Sequence, residues 1–155
     1  MASIKGSDML SSDAPEWLTY PGARAKLVLR SERPRSEIDV LCNAQGLGSL
    51  VGALLWLTSF SDYGSLSISA LPFVCVEGAL ALSVADVMEQ QAFQGQVVRL
   101  DKDRQFEWRI HADDLKKVAI SLFRVAASPE YVNYFTVNVS PDSDVGLRFE
   151  VTDAT

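Results

Sequence analysis

The sequence predicts an α+β domain in which two duplicated ββαββ units form an antiparallel sheet, with two helices packed on one side. Two long runs show the 3.6-residue spacing of helices, and short runs with alternating apolar residues flank each of them. The two halves also match at an offset of 68 residues, which places Leu47 on Leu115 and Leu54 on Leu122. One unit alone exposes an apolar sheet face, and two paired units bury it in a shared core.

The 155 residues have room for one domain. We divide them into a flexible N-terminal segment with a docking turn, 1–22, and a single α+β domain, 23–155. The domain contains pseudo-repeats at about 23–86 and 95–153. The N-terminal segment is polar and aperiodic, and its docking turn is indicated by two aromatic residues beside a Pro-Gly pair: Trp17, Tyr20, Pro21 and Gly22.

In the first half, a hairpin is predicted from strands at 25–31 and 37–44, because Pro34 between them cannot donate to a strand ladder. A helix follows at 46–60, and its core stripe consists of Leu47, Leu50, Val51, Leu54, Leu57 and Thr58. Two strand regions then follow, at 65–70 and 73–86. The helix is about 15 residues long, which is too short to span a bilayer.

In the second half the pattern repeats after a connector at 87–95. A hairpin at 96–112 leads to a helix at 113–128, for which Asp113 is the expected cap and Ser128-Pro129 the expected stop. Two more strands are predicted, at 134–140 and 146–153. The last strands of the two halves match at an offset of 67, for example Leu82 with Phe149 and Val84 with Val151.

The first helix has an outer face without any charged residue, which is unusual for a helix that faces water. At the matching positions of the second helix, Lys117 replaces Ser49 and Arg124 replaces Trp56, and we interpret Lys116, Lys117 and Arg124 as a solvated face. The outer face therefore predicts an interface formed by Gly52, Ala53, Trp56, Phe60 and Tyr63. Burial of this face inside its own domain and a small-molecule pocket are the alternatives.

The net charge of −6 and the pI of about 4.7 argue against nonspecific binding to nucleic acid or to an anionic membrane. An acidic chain is compatible with a basic protein partner. The first residues lack the apolar region of a signal peptide, so we expect a cytoplasmic protein. In that compartment Cys42 and Cys75, which both lie in apolar runs, are expected to be reduced and buried.

Few residues suggest chemistry, and we expect no catalytic residue, metal or cofactor. His111 is the only histidine, and it lies at the register of Asn43 beside Cys42, so a cysteine nucleophile with a histidine base is one alternative. One histidine and two separated cysteines are too few for structural zinc. The acidic pairs Asp101 with Asp103 and Asp142 with Asp144 are interpreted as turn residues rather than calcium ligands.

These observations favour a non-enzymatic domain that binds protein or self-associates through the first helix. A small cytoplasmic inhibitor such as a bacterial toxin-immunity protein is one concrete form. A secretion chaperone or a homodimeric scaffold is an alternative in the same class, and a cysteine-dependent enzyme that uses Cys42 and His111 is the alternative in another class.

Overall fold

The computed structural model describes residues 19–31, 35–60, 64–87, 89–100 and 104–152, without the side chain of Phe60. The described residues form nine strands and two α-helices, which confirms the α+β class. The elements in chain order are β1 Ala25–Arg30, β2 Glu37–Cys42, α1 Ala44–Phe60, β3 Ser65–Ser67, β4 Val74–Val76, β5 Ala81–Asp86, β6 Gln96–Arg99, β7 Gln105–Ile110, α2 Ala112–Ala127, β8 Tyr134–Thr136 and β9 Gly146–Val151, with a short 3₁₀ turn Ile68–Ala70 after β3.

The strands form two mixed sheets rather than an antiparallel one. The order is β4-β1-β2-β9-β8 in the first sheet and β3-β5-β7-β6 in the second. β2 pairs with β9, and β5 with β7, in parallel, as does β1 with β4. The predicted all-antiparallel pairing is wrong because these partners are distant in sequence, whereas the pattern was interpreted through hairpins between neighbouring strands.

The predicted ββαββ order is not found in the first half. Between α1 and β5 the chain forms β3, the 3₁₀ turn and β4, and β4 joins β1 in the other sheet. In the second half the described elements are β6, β7, α2, β8 and β9, which is the predicted ββαββ order. The internal duplication therefore stays a prediction.

The two sheets share one apolar core. Along β2 and β9, Val40 lies beside Phe149, and along β5 and β7, Val84 lies beside Trp108; all four are buried. The ring of Trp108 in the second sheet contacts that of Phe149 in the first, with 6.2 Å between centroids. The indole N–H of Trp108 donates to the Gln94 carbonyl at 3.0 Å, so the polar atom of this large core residue is satisfied.

The helices pack against each other. α1 also contacts β2 of the first sheet and β3 of the second, and α2 contacts β8 and β9 of the first. Leu54 and Leu122, which the offset of 68 matched, are both fully buried. α1 begins two residues before the predicted start, at Ala44, whereas Thr58 at the edge of the predicted stripe is only partly buried. The outward faces of the strands carry ion pairs, for example Arg148 with Glu150 at 3.3 Å.

The register of the parallel pairs corrects the predicted match between the last strands. Cys42 at the end of β2 pairs with Val151. Ile110 at the end of β7 matches Cys42 at the offset of 68, and it pairs with Asp86. By position in the sheets, Asp86 therefore matches Val151, an offset of 65 instead of 67. A shift of two residues keeps every side chain on the same face of a strand, so the apolar pattern alone could not distinguish the two.

Candidate interaction surface

The start of α1 is fixed by Asn43, the residue between β2 and the helix. Its Oδ1 atom accepts the N–H of Gly46 at 2.8 Å and the N–H of Arg24 at 2.9 Å, and its Nδ2 donates to the carbonyl of Gly22 at 2.8 Å. Asn43 thus caps the helix and ties the chain before β1 to it. A β-carbon at Gly46 would lie 2.0 Å from the carbonyl oxygen of Arg24, so this close approach requires glycine.

The segment before β1 covers the first turns of α1. The backbone N–H of Tyr20 donates to Ser49 Oγ at 2.8 Å, and Ser49 is only 1% exposed. A β-carbon on Gly48 would lie 2.6 Å from the Tyr20 ring, so the ring rests directly on the helix backbone. The tyrosine of the predicted docking turn therefore packs on α1; Trp17 lies outside the described residues.

The predicted interface on α1 is only partly on the surface. Ala53 is 1% exposed, whereas Gly52 and Trp56 are partly exposed and Trp56 packs against the core. Tyr63 and the side chain of Phe60 lie outside what the structure describes. Of the predicted interface residues that the structure describes, Gly52 and Trp56 are therefore partly available to a partner.

The surface-facing line of α1 runs through Gln45, Gly52 and Ser59. Leu55 beside it is 37% exposed, although the sequence pattern did not select it. Ser49 and Ala53 lie opposite the predicted core stripe and yet are buried, because small residues also fit crowded interior positions.

A second group of exposed apolar side chains lies on α2 and on the segment that follows it, although the sequence predicts a solvated face for α2. We call it the α2 patch: it consists of four side chains that are more than half exposed, Ile120 at 51%, Phe123 at 55%, Tyr131 at 85% and Val132 at 52%. Three of them, Phe123, Tyr131 and Val132, line an open groove of about 350 Å³ at the C-terminal end of α2, together with Arg124, Val125, Ala127 and Ser128.

A signal for this patch was present in the sequence. The core stripe of α2 is complete with Leu115, Val118, Leu122 and Val125, all of them buried. Ile120 and Phe123 lie off that stripe at helical spacing, so they had no place in the core. The solvated face predicted from Lys116, Lys117 and Arg124 therefore also carries apolar side chains.

The cations beside the α2 patch are themselves exposed. Lys116, Lys117 and Arg124 form no ion pair with any residue that the structure describes. Other basic side chains of the described chain have carboxylate partners: Lys26 with Glu77, Arg30 with Asp39, Arg109 with Glu107 and Arg148 with Glu150. α2 therefore presents cations without an ion-pair partner among the described residues next to apolar side chains, with Asp113 and Asp114 one turn before Lys117.

The thiol of Cys42 is poorly suited to catalysis. It is fully buried, and its Sγ atom donates to the Val40 carbonyl at 3.8 Å. Burial raises the pKa of Cys42 to about 12, because removal from water penalises the thiolate that a nucleophile needs. Cys75 in β4 is exposed, so the expectation of two buried thiols is wrong for Cys75. The reason is that β4 is a short strand at the edge of its sheet.

His111 has a structural role that explains its position. It is the N-cap of α2, and its Nδ1 atom accepts the backbone N–H of Asp113 at 3.1 Å. The prediction of Asp113 as the cap is therefore wrong. Asp113 lies inside the first turn, where its negative charge interacts favourably with the positive end of the helix dipole. The predicted end is confirmed, since α2 stops at Ala127 before Ser128.

The two described residues of the acidic pairs accept hydrogen bonds, Asp142 within its own turn and Asp144 from the end of β6. Asp144 accepts the N–H of Arg99 at 2.6 Å, and Asp142 accepts a hydrogen bond from Ser140. Asp101 and Asp103 lie outside the described residues. Within the described ranges, no three His, Cys, Asp or Glu side chains come close enough together to hold a metal ion.

Neither α-helix of the described chain combines the length and the apolar character that crossing a bilayer requires. Comparisons with protein-family models, with curated proteins and with solved structures gave no significant match.

Proposed function

We propose that this chain is a non-enzymatic domain that binds a protein partner through the exposed surface of its helices. The observation that carries the proposal is the α2 patch, in which four large apolar side chains are more than half exposed. A contiguous exposed apolar surface beside polar residues is typical of an interaction site.

The shape and the residue types of the patch suit a protein partner. Phe123 and Tyr131 are aromatic, and both border the groove of about 350 Å³. Aromatic side chains around a concave site are the residues that dominate binding energy at protein interfaces, since a partner side chain enters the groove and excludes water there. The adjoining cations supply a polar rim.

α1 offers a second surface, which the proposal includes. Gly52, Leu55 and Trp56 face outward at least in part, and no residue between Ala44 and Phe60 is charged. Self-association of the chain through α1 is the form that we propose for this surface. Among the described side chains α1 exposes fewer large apolar residues, which places it second to the α2 patch.

A small cytoplasmic inhibitor such as a toxin-immunity protein remains one concrete form of this function, with a secretion chaperone as another. Neighbouring genes distinguish the two, because an inhibitor is encoded beside its toxin. The alternative of a cysteine-dependent enzyme is disfavoured by the burial of Cys42 and by the capping role of His111.

Site-specific photocrosslinking in cells that express the chain naturally tests the proposal. A photoreactive amino acid replaces Phe123 in one variant and Arg109 in a control variant; Arg109 is exposed on β7. We expect a protein adduct of defined mass from position 123 and none from position 109. Absence of an adduct at position 123, or the same adducts from both positions, contradicts the proposal.

A further inference from the structure

We infer that the α2 patch and its adjoining cations bind an acidic, amphipathic helical segment of the partner protein. This inference rests on the proposed function and specifies the partner's chemistry. Its basis is the placement of Lys117 and Arg124 on one flank of Ile120 and Phe123.

The spacing of these side chains sets the pattern of the partner. Lys117 and Arg124 are seven residues apart on α2, two helical turns or about 10.5 Å along the axis. Ile120 and Phe123 lie between them in sequence and beside them on the helix surface. A segment with apolar residues at helical spacing and carboxylates on one flank, two turns apart, matches both features at once.

The charge beside Ile120 and Phe123 on α2 is opposite in sign to the net charge of the whole chain, although Asp113 precedes Lys117 by one turn and Glu130 lies beside Tyr131. The net charge is −6, yet the exposed side chains around Ile120 include Lys116, Lys117 and Arg124, which have no carboxylate partner among the described residues. An acidic segment is attracted to this surface and repelled elsewhere, so the charges set the docking orientation and raise the association rate.

Two other occupants fit less well. A symmetric dimer through the patch would bring Lys117 and Arg124 of one copy towards the same residues of the second copy. An anionic membrane would gain from these cations but would be repelled by the net charge of −6, and a flat lipid surface does not fill the groove of about 350 Å³ beside Phe123.

The test uses the full chain and three synthetic peptides of about 16 residues, the length of α2. The first peptide is an amphipathic helix with glutamates beside its apolar stripe. The second carries lysines in place of the glutamates, and the third has the composition of the first in an order that removes the stripe. Amide chemical shifts locate binding, and titration calorimetry at two salt concentrations measures affinity.

We expect the acidic amphipathic peptide to bind with a Kd of about 100 μM or tighter. We also expect it to shift the amides of α2 and of residues 128–132. The lysine peptide and the reordered peptide should bind at least about tenfold more weakly, and affinity for the acidic peptide should fall as salt rises.

Charge reversal supplies the matched control. The double variant Lys117→Glu with Arg124→Glu should lower the affinity for the acidic peptide by at least about tenfold and raise the affinity for the lysine peptide. Lys26→Glu with Arg109→Glu changes the net charge by the same amount away from the patch and should alter affinity by less than about twofold. If the first variant does not fold, Lys117→Gln with Arg124→Gln replaces it.

Equal affinity for the acidic and lysine peptides, or amide shifts confined to other elements, overturns the inference. So does binding to vesicles of phosphatidylcholine with about 30% phosphatidylserine in the absence of peptide binding. If the partner is crosslinked to position 123 through a segment without carboxylates, the inference of an acidic segment is wrong, whereas the proposed function as a protein-binding domain still holds.

Discussion

Asn43 and His111 occupy the same place in the two halves of the fold. Each follows a six-residue strand, and each caps the α-helix that begins at the next residue. Their side chains accept from backbone N–H groups of the first helical turn at 2.8 Å and 3.1 Å. The position that suggested a base beside Cys42 is therefore a helix cap in both halves.

The two caps should differ in their contribution to stability. Asn43→Ala should lower the free energy of unfolding by about 2 kcal/mol, because it removes a cap and two further hydrogen bonds to the chain before β1. His111→Ala should cost about 0.5–1 kcal/mol, and His111→Asn, which keeps an acceptor, should be nearly neutral. Urea unfolding measures all three. A larger loss from His111→Ala than from Asn43→Ala would refute this assignment.

The contact between Tyr20 and Gly48 can be tested by a double-mutant cycle. Gly48→Ala alone should destabilise the protein by about 1 kcal/mol or more, because the new β-carbon lies 2.6 Å from the Tyr20 ring and must displace it. In a Tyr20→Ala background the same change should stabilise the protein by up to about 1 kcal/mol, since alanine favours the helix. Thermal melting provides the values; effects of the same sign and size in both backgrounds would exclude the contact.

Cys42 should make stability depend on alkaline pH. Its pKa is raised to about 12, so between pH 9 and 12 the folded chain keeps a proton that the unfolded chain has lost. The free energy of unfolding should therefore fall as pH rises through this window, by at most about 1.4 kcal/mol per pH unit. Below about pH 9 Cys42 should cause no pH dependence of stability, because the thiol is protonated in both states. Urea unfolding of the wild type and of Cys42→Ala, whose decline should be shallower, measures the difference. Parallel curves would contradict the raised pKa.

The elements that depend on local pattern could be predicted from the sequence. The helical period located α2 to within one residue at each end, and it identified Leu54 and Leu122 as core residues. In both cases the information lies in residues three and four apart, and burial of the stripe follows directly from the amphipathic pattern.

The pairing between distant strands could not be predicted. The parallel neighbours β2 and β9 are separated by more than 100 residues, and a strand's alternation says which face is apolar but not which strand lies beside it. The same period-two pattern left the match of Val84 with Phe149 or with Val151 undecided. Exposure was equally ambiguous, because Ala53 is small enough for either environment.

Trp56→Arg tests the proposed surface of α1. Trp56 is partly buried against the core, so we expect the variant to stay folded with a loss of about 1–2 kcal/mol, while the charge at the surface weakens self-association. Light scattering measures the oligomer, and thermal melting measures the fold. Leu100→Arg, a change at a residue that is 36% exposed and lies outside the helices, is the control. A variant that unfolds as a monomer would show that Trp56 belongs to the core.

The affinity of the crosslinked partner for Phe123→Ser tests the central claim most directly. Phe123 is 55% exposed and lines the groove, whereas Val76 on β4, 37% exposed, lies outside the patch and provides the control variant Val76→Ser. Calorimetry with the purified partner should show a loss of about 2 kcal/mol for Phe123→Ser, roughly thirtyfold in Kd, and less than about twofold for Val76→Ser. Equal affinities of the two variants would contradict binding through the α2 patch.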